Sequence, residues 1–271
     1  MGRLSEVSLG LKDQNKKAFV AYVVAGDPHP DMTVQLMHRL VKSGVNIIEL
    51  GVPFTDPEAE GPVIQAAHER ALAHQVNLEA VLTMVARFRS EDAKTPVVLM
   101  GYLNPIERMG YKSFSQRAGD AGVDGLITVN LPPEEAGDLT EHLQTHGIDP
   151  IYLLAPTTNV ERAQRICQAS KGFVYYVSLK GTTGSGSLDV NAVQQKVNSL
   201  RDYAPLPLYV GFGIRNGETA GPIAAIADGV VVGSAIVALL SDAEEHGSET
   251  VIQDVVNLTA EITAALDASV S

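Results

Sequence analysis

The sequence predicts an α/β fold, a (β/α)8 TIM barrel with an extra N-terminal helix, on three observations. Short runs rich in Val, Ile, Leu and Tyr recur eight times along the 271 residues, separated by stretches of helical periodicity. These runs are continuously apolar rather than alternating, which is the pattern of parallel strands buried on both faces. The composition does not shift along the chain, so residues 1–271 read as one domain of a length that α/β barrels commonly reach. An open doubly wound sheet is the alternative, disfavoured by eight consecutive β–α repeats.

The elements follow in order. Leu4–Lys16 reads as the extra helix, lying under the barrel floor. Strand one is Ala18–Val24, followed by a helix over Asp31–Ser43 with Asp31 as N-cap and Gly44 as C′ residue. Strand two is Asn46–Val52. A helix over Leu78–Arg89, capped by Asn77, precedes strand three at Pro96–Tyr102. Tyr111–Ala121, closed by Gly122, leads to strand four at Gly125–Asn130. The run Pro132-Pro133-Glu134-Glu135 has the proline and acidic first turn that suit a helix start, predicting a helix over Pro133–His146 closed by Gly147. Strand five is Pro150–Leu154 and strand six Gly172–Ser178, with a helix over Val160–Ser170 between them. A helix over Val190–Tyr203, strand seven at Pro207–Gly211 and strand eight at Gly229–Val232 complete the repeats. Ser248–Ala268, with Val251, Val255, Ile262 and Leu266 on one face, is the closing helix.

Composition excludes several function classes. Hydrophobic residues make up 45% and charged residues 19%, and no apolar run approaches the roughly eighteen residues of a membrane span. Met1–Lys17 is polar and mixed in charge, unlike a signal peptide, so a cytoplasmic location is expected. The single cysteine, Cys167, rules out an internal disulfide and a multi-cysteine zinc site; on a helix it reads as a small buried residue rather than a nucleophile. A net charge of −12 without a basic cluster argues against nucleic acid and anionic membranes. The seven histidines are scattered without metal-ligand spacing and are expected mostly at the surface, so no metal is expected.

The most informative segment is Ile48–Pro62, which reads Ile-Glu-Leu-Gly-Val-Pro-Phe-Thr-Asp-Pro-Glu-Ala-Glu-Gly-Pro. Glu49 lies inside an apolar strand, between Ile47, Ile48, Leu50 and Val52, and Glu60 follows on a loop punctuated by Pro and Gly. Burying a carboxylate among branched aliphatics costs several kcal/mol unless it is paired or neutral, and such a site raises its pKa toward neutrality. Two carboxylates so placed suit general acid–base chemistry. The alternative is a structural Glu paired with an Arg or Lys. In a barrel, catalysis belongs to strand C-terminal ends and the loops beyond them, and Glu49 falls near the end of strand two and Glu60 on the loop after it.

Three glycine-bearing segments follow strands six, seven and eight: Gly181–Gly184, Gly211–Ile214 and Gly233–Ile236. Glycine allows close backbone approach, and a helix beginning at Gly233-Ser234 offers unpaired N–H groups, so Gly184, Gly213, Gly233 and Ser234 form a candidate phosphate site. Backbone recognition suits an acidic chain. Lys180 either adds charge there or points to solvent, and Lys180–Leu188 has the Gly/Ser/Thr content of a lid.

Taken together, these motifs resemble the tryptophan synthase alpha subunit family over essentially the whole chain. The resemblance is carried by Tyr22–Pro28, Ile48–Gln65, Met100–Pro105, Gly122–Gly125, Leu131–Glu135 and the three glycine segments, in order and spacing. It implies aldol cleavage of indole-3-glycerol phosphate to indole and D-glyceraldehyde 3-phosphate, and passage of indole to a beta subunit in an alpha2beta2 tetramer for L-tryptophan synthesis. It further implies no cofactor in this chain, pyridoxal phosphate belonging to the beta subunit. By the same resemblance Glu49 is the general acid–base, Glu60 stabilises the positive charge developing on the indole ring, and Tyr175 on strand six stands near the substrate and Glu49, or is simply a barrel-core aromatic. Tyr22 and Tyr102 wall the indole pocket, or are simply packed rings. Thr183 on the lid would hydrogen-bond the second carboxylate, and Pro53 and Asp56 belong to the region that meets the beta subunit.

The chain departs from the family pattern at four places. Glu60 and Asn130 stand where Asp is usual, Glu58 where the family tends to be apolar, and Thr182 where Val is usual. Glu58 adds a like charge near Glu60, which would raise the pKa of one of the two if they are close. These departures leave two other readings open: a non-catalytic activator of the beta subunit, and a standalone indole-releasing lyase or other phosphate-binding barrel.

Overall fold

The structure, a computed structural model, describes residues 2–178, 189–211 and 213–270. Nine parallel strand segments form one sheet: β1 (Ala18–Val24), β2 (Ile47–Gly51), β3 (Val97–Gly101), β4 (Gly125–Thr128), β5 (Asp149–Ile151), β6 (Leu153–Leu154), β7 (Val174–Val177), β8 (Leu208–Gly211) and β9 (Gly229–Val232). Their order is β5-β4-β3-β2-β1-β9-β8-β7-β6. The two outermost segments are consecutive in the chain, separated only by Tyr152, so the strip closes on itself as a TIM barrel. The predicted fifth strand is therefore one strand broken at Tyr152: its first half pairs with β4 and its second with β7. Every residue of β1, β2, β3, β8 and β9 is buried, as the continuous apolar runs require.

The extra helix covers Arg3–Asp13 and seals the floor of the barrel. Leu4 packs where Gly125, opening β4, and Gly172, preceding β7, leave room for its side chain. Arg3 and Arg89 both donate to the Asp124 carboxylate, at 2.9 and 2.5 Å, and the Val97 amide donates to it as well. The floor is thus held by a charge cluster at the opposite end from the site.

Most helices follow the sequence pattern. Asn77 caps the helix Leu78–Arg89 by accepting the Ala80 amide, and Gly44, Gly122 and Gly147 all take positive φ. The closing helix, Ser248–Ala268, packs against Met32–Lys42 and Gly217–Ile226. Two expectations fail. Asp31 adopts helical backbone angles and its side chain caps nothing; the helix begins at Met32. The helix expected from Pro133 starts at Gly137, because the chain first turns, with the amides of Glu135 and Ala136 donating to the carbonyls of Pro132 and Pro133. Among the described residues, no helix is long and apolar enough to cross a membrane.

Candidate active site

β2 carries Glu49 at the middle of its length, opposite Tyr22 of β1 and Val98 of β3. The strand is buried on both faces, and the Glu49 carboxyl with it, at 1% exposure. Its Oε2 has no hydrogen-bond partner, and no Arg or Lys pairs with it among the described residues. Burial, reinforced by the nearby Glu60, pushes its pKa up to about 8. A structural ion pair is thus not what holds Glu49 among these residues, and its proton remains in place at neutral pH.

The loop after β2 returns Glu60 over the same end of the barrel. A tight turn, with the Glu58 amide on the Asp56 carbonyl and the Glu60 amide on the Pro57 carbonyl, folds the segment back. Gln65 then donates to the Glu60 carbonyl at 2.9 Å. The loop hangs on Tyr102, whose ring stacks on Phe54 at 4.9 Å and whose hydroxyl accepts the Ala59 amide at 3.0 Å. Glu60 is only 4% exposed, and burial raises its pKa to about 7. The rise comes from burial and not from Glu58, whose side chain is exposed to solvent. Of the two residues expected at a partner surface, Asp56 is exposed and Pro53 is buried within the chain.

Two tyrosines complete the pocket. Tyr22 and Tyr175 are buried, and desolvation together with the charges of Glu49 and Glu60 holds both hydroxyls protonated well above their ordinary range. Glycines make room for them. A Cβ at Gly51 would lie 2.5 Å from the Tyr22 hydroxyl oxygen, and one at Gly211 would lie 2.7 Å from the Tyr175 Cζ. Glu49, Glu60, Tyr22, Tyr102 and Tyr175 are therefore brought together, as the mutual influence of their charges shows.

Gly213 follows β8 with φ of +79°, and Gly233 and Ser234 join β9 to the short helix Ser234–Leu240. A Cβ at Gly233 would lie 3.2 Å from the Tyr22 ring, so this corner adjoins the tyrosine wall. Thr183 and Gly184, with Thr182 and the expected lid Lys180–Leu188, lie outside the described residues. Asn130 accepts the Leu103 amide at 2.8 Å and so ties the loop after β4 to the helix Leu103–Met109. Among the described residues no group of His, Cys, Asp and Glu is arranged to hold a metal ion. Cys167 is buried, its thiol pushed up to about 11, in keeping with a packing role.

One residue of this site escapes the sequence reading. His68, expected with the other histidines at the surface, is 2% exposed on the helix Pro62–Ala73. It accepts the Phe54 amide at Nδ1, 3.0 Å, and its Nε2 lies 3.4 Å from the Tyr22 hydroxyl. Nothing in the local pattern distinguishes it, because both partners come from other elements.

Comparison with known proteins supplies the family. The family model described as "Tryptophan synthase alpha chain" matches residues 9–267. The tryptophan synthase alpha chain of Thioalkalivibrio sulfidiphilus is 54% identical over 98% of this chain and 100% of its own length. That of Chromobacterium violaceum is 55% identical over 93% of this chain and 95% of its own. The crystal structure of tryptophan synthase subunit alpha from Legionella pneumophila superposes with a TM-score of 0.92, at 45% identity and 99% coverage of both chains. Its fold and these relatives agree: the chain belongs to the tryptophan synthase alpha chain family.

Proposed function

We propose that this chain cleaves indole-3-glycerol phosphate to indole and D-glyceraldehyde 3-phosphate, in the cytoplasm. The observation that carries the reading is the Glu49 carboxyl: buried, unpartnered at Oε2, and holding its proton to about pH 8 beside a second buried carboxyl.

Carbon–carbon scission here needs an electron sink. Glu49 donates its proton to C3 of the indole ring, and positive charge develops toward the ring nitrogen. Glu60, with a pKa near neutrality, offers a carboxylate to the ring N–H and stabilises that charge. The Glu49 carboxylate then takes the proton of the glycerol hydroxyl next to the ring. As that oxygen becomes an aldehyde carbonyl, the bond to C3 breaks and its electron pair returns to the ring. Indole leaves with the added hydrogen, and Glu49 ends protonated as it began. One group with a pKa near working pH serves both as acid and as base. Tyr175 feels the charge of both carboxyls, while Tyr22 and Tyr102 wall the ring.

The phosphate is assigned to the backbone of Gly184, Gly213 and Gly233 and to Ser234, at the loops where barrels commonly bind phosphate. Dipoles rather than formal charges suit a protein of net charge −12. Indole then passes to a beta subunit in an alpha2beta2 assembly, with Asp56 and Pro53 on the loop that meets it and pyridoxal phosphate held by that partner.

Single-turnover cleavage of indole-3-glycerol phosphate, with and without a cognate beta subunit, tests the reading. The expected result is weak cleavage by the chain alone, a strong rise with the partner, and loss of both in Glu49→Gln. Tight binding to the partner with no cleavage in either condition overturns it.

A further inference from the structure

The loop that carries Glu60 has little burial of its own to hold it: Thr55, Asp56, Glu58 and Ala59 are all exposed. Hydrogen bonds must set its shape, and the helix that follows it, Pro62–Ala73, grips it at both ends. Gln65 and His68 stand three residues apart, the spacing that puts two side chains on one helix face. At the loop's exit Gln65 donates from Nε2 to the Glu60 carbonyl at 2.9 Å. At its entry His68 accepts the Phe54 amide at Nδ1, 3.0 Å away. A neutral imidazole whose Nδ1 accepts carries its hydrogen on Nε2, which here faces the Tyr22 oxygen at 3.4 Å and so ties the entry to β1. Between the two ends, Phe54 stacks on Tyr102, whose hydroxyl accepts the Ala59 amide at 3.0 Å. The backbone of Glu60 is thereby closed on both sides, its amide on the Pro57 carbonyl at 3.0 Å and its carbonyl on Gln65.

We propose that His68 and Gln65 are positioning residues for Glu60: from one face of one helix they hold the entry and the exit of its loop, and so fix where its carboxylate stands. The inference rests on the reading of Glu60 as the group that stabilises charge on the indole ring. Both residues act through the loop. A carboxylate held in place before charge develops stabilises it without reorganisation, and a displacement near 1 Å costs on the order of a hundredfold in rate. Two anchors on one rigid helix also keep the loop's ends at a constant separation, so the loop cannot slide along the strand that precedes it.

The test measures kcat and KM for indole-3-glycerol phosphate cleavage at saturating cognate beta subunit, for wild type, His68→Leu, His68→Asn and Gln65→Met. His68→Leu and Gln65→Met are also combined, one at a time, with Glu60→Gln. Leu removes the acceptor for the Phe54 amide, Asn restores one in the place of Nδ1, and Met keeps the length of Gln65 without its donor. One anchor lost from several should lower kcat by roughly tenfold in His68→Leu and in Gln65→Met, with KM within about threefold. His68→Asn should recover to within about threefold of wild type. Where Glu60→Gln has already removed the carboxylate, either substitution should add less than about a twofold loss, because there is nothing left to position. Wild-type kcat in His68→Leu or in Gln65→Met overturns the proposal, as do losses that multiply with that of Glu60→Gln, or a His68→Asn rate no better than that of His68→Leu. If His68→Leu does not fold, Gln65→Met and its combination with Glu60→Gln decide alone. Wild-type cleavage by Glu60→Gln itself defeats the reading of Glu60, and that result is separate from any failure of the anchors.

Discussion

Replacing Glu49 by Gln should make the folded chain more stable at alkaline pH while abolishing its chemistry. In an unfolded chain the carboxyl titrates near its ordinary 4.5, whereas in the barrel it titrates at about 8. Between those values the unfolded state gives up its proton first, so rising pH favours unfolding. The contribution is fully present below pH 4.5, declines from there, and is lost once the pH has risen through about 8. A rise from 4.5 to about 8, at ~1.36 kcal/mol per pH unit, corresponds to about 5 kcal/mol. Gln has nearly the same shape and does not titrate, so it escapes that loss. Urea unfolding at pH 5, 7 and 9, followed by far-UV circular dichroism, reads the difference directly. The two proteins should have similar midpoints at pH 5, and Glu49→Gln should be the more stable by several kcal/mol at pH 9. Parallel profiles for the two proteins would refute the reasoning, since they would mean that Glu49 titrates normally in the fold.

Three further outcomes are expected. Glu60→Asp withdraws the carboxylate by one methylene from a loop tied through Ala59 and Gln65, and a displacement near 1 Å should lower kcat by roughly ten- to a hundredfold in the cleavage assay; Glu60→Gln should lower it further. Gly51→Ala places a methyl 2.5 Å from the Tyr22 hydroxyl and 2.9 Å from its Cζ, so the ring must move and kcat should fall by about tenfold or more, with the fold retained by circular dichroism. Arg70→Leu leaves the Asp27 carboxylate, 0% exposed and held by Arg70 at 2.6 and 3.1 Å, without its charge partner, and urea unfolding should show a loss of about 3–5 kcal/mol.

The barrel was legible because strands buried on both faces leave long apolar runs, and the glycines ending helices mark their exits. β1, β9 and the closing helix have the bounds that pattern predicts. The two carboxyls were legible for a related reason: a Glu among Ile, Leu and Val is conspicuous where every neighbour is apolar. What was not legible depends on partners distant in sequence. His68 looks like any helical histidine until the fold sets it between Phe54 and Tyr22, fourteen and forty-six residues away. The break at Tyr152 is equally hidden, because the two neighbours that its halves pair with, β4 and β7, lie far off in sequence. Asp31 carries a capping side chain that the local backbone does not use, and the Pro132-Pro133 pair starts a turn before the helix.

That break at Tyr152 has a mechanical consequence. Elsewhere around the barrel each strand is flanked along its length by two others, but the fifth strand gives its first half to one side and its second half to the other. The wall is therefore a belt with a single buckle, two arcs meeting at one residue. The join is bridged at that residue itself, because the Tyr175 amide donates to the Tyr152 carbonyl at 3.4 Å. The buckle lies on the far side of the ring from the β1–β2 wall that holds Tyr22 and Glu49. The join nevertheless touches the site from the other side, since Tyr175 pairs with Leu153 just beyond it, so any strain at the buckle is carried to a tyrosine of the site and not to Glu49.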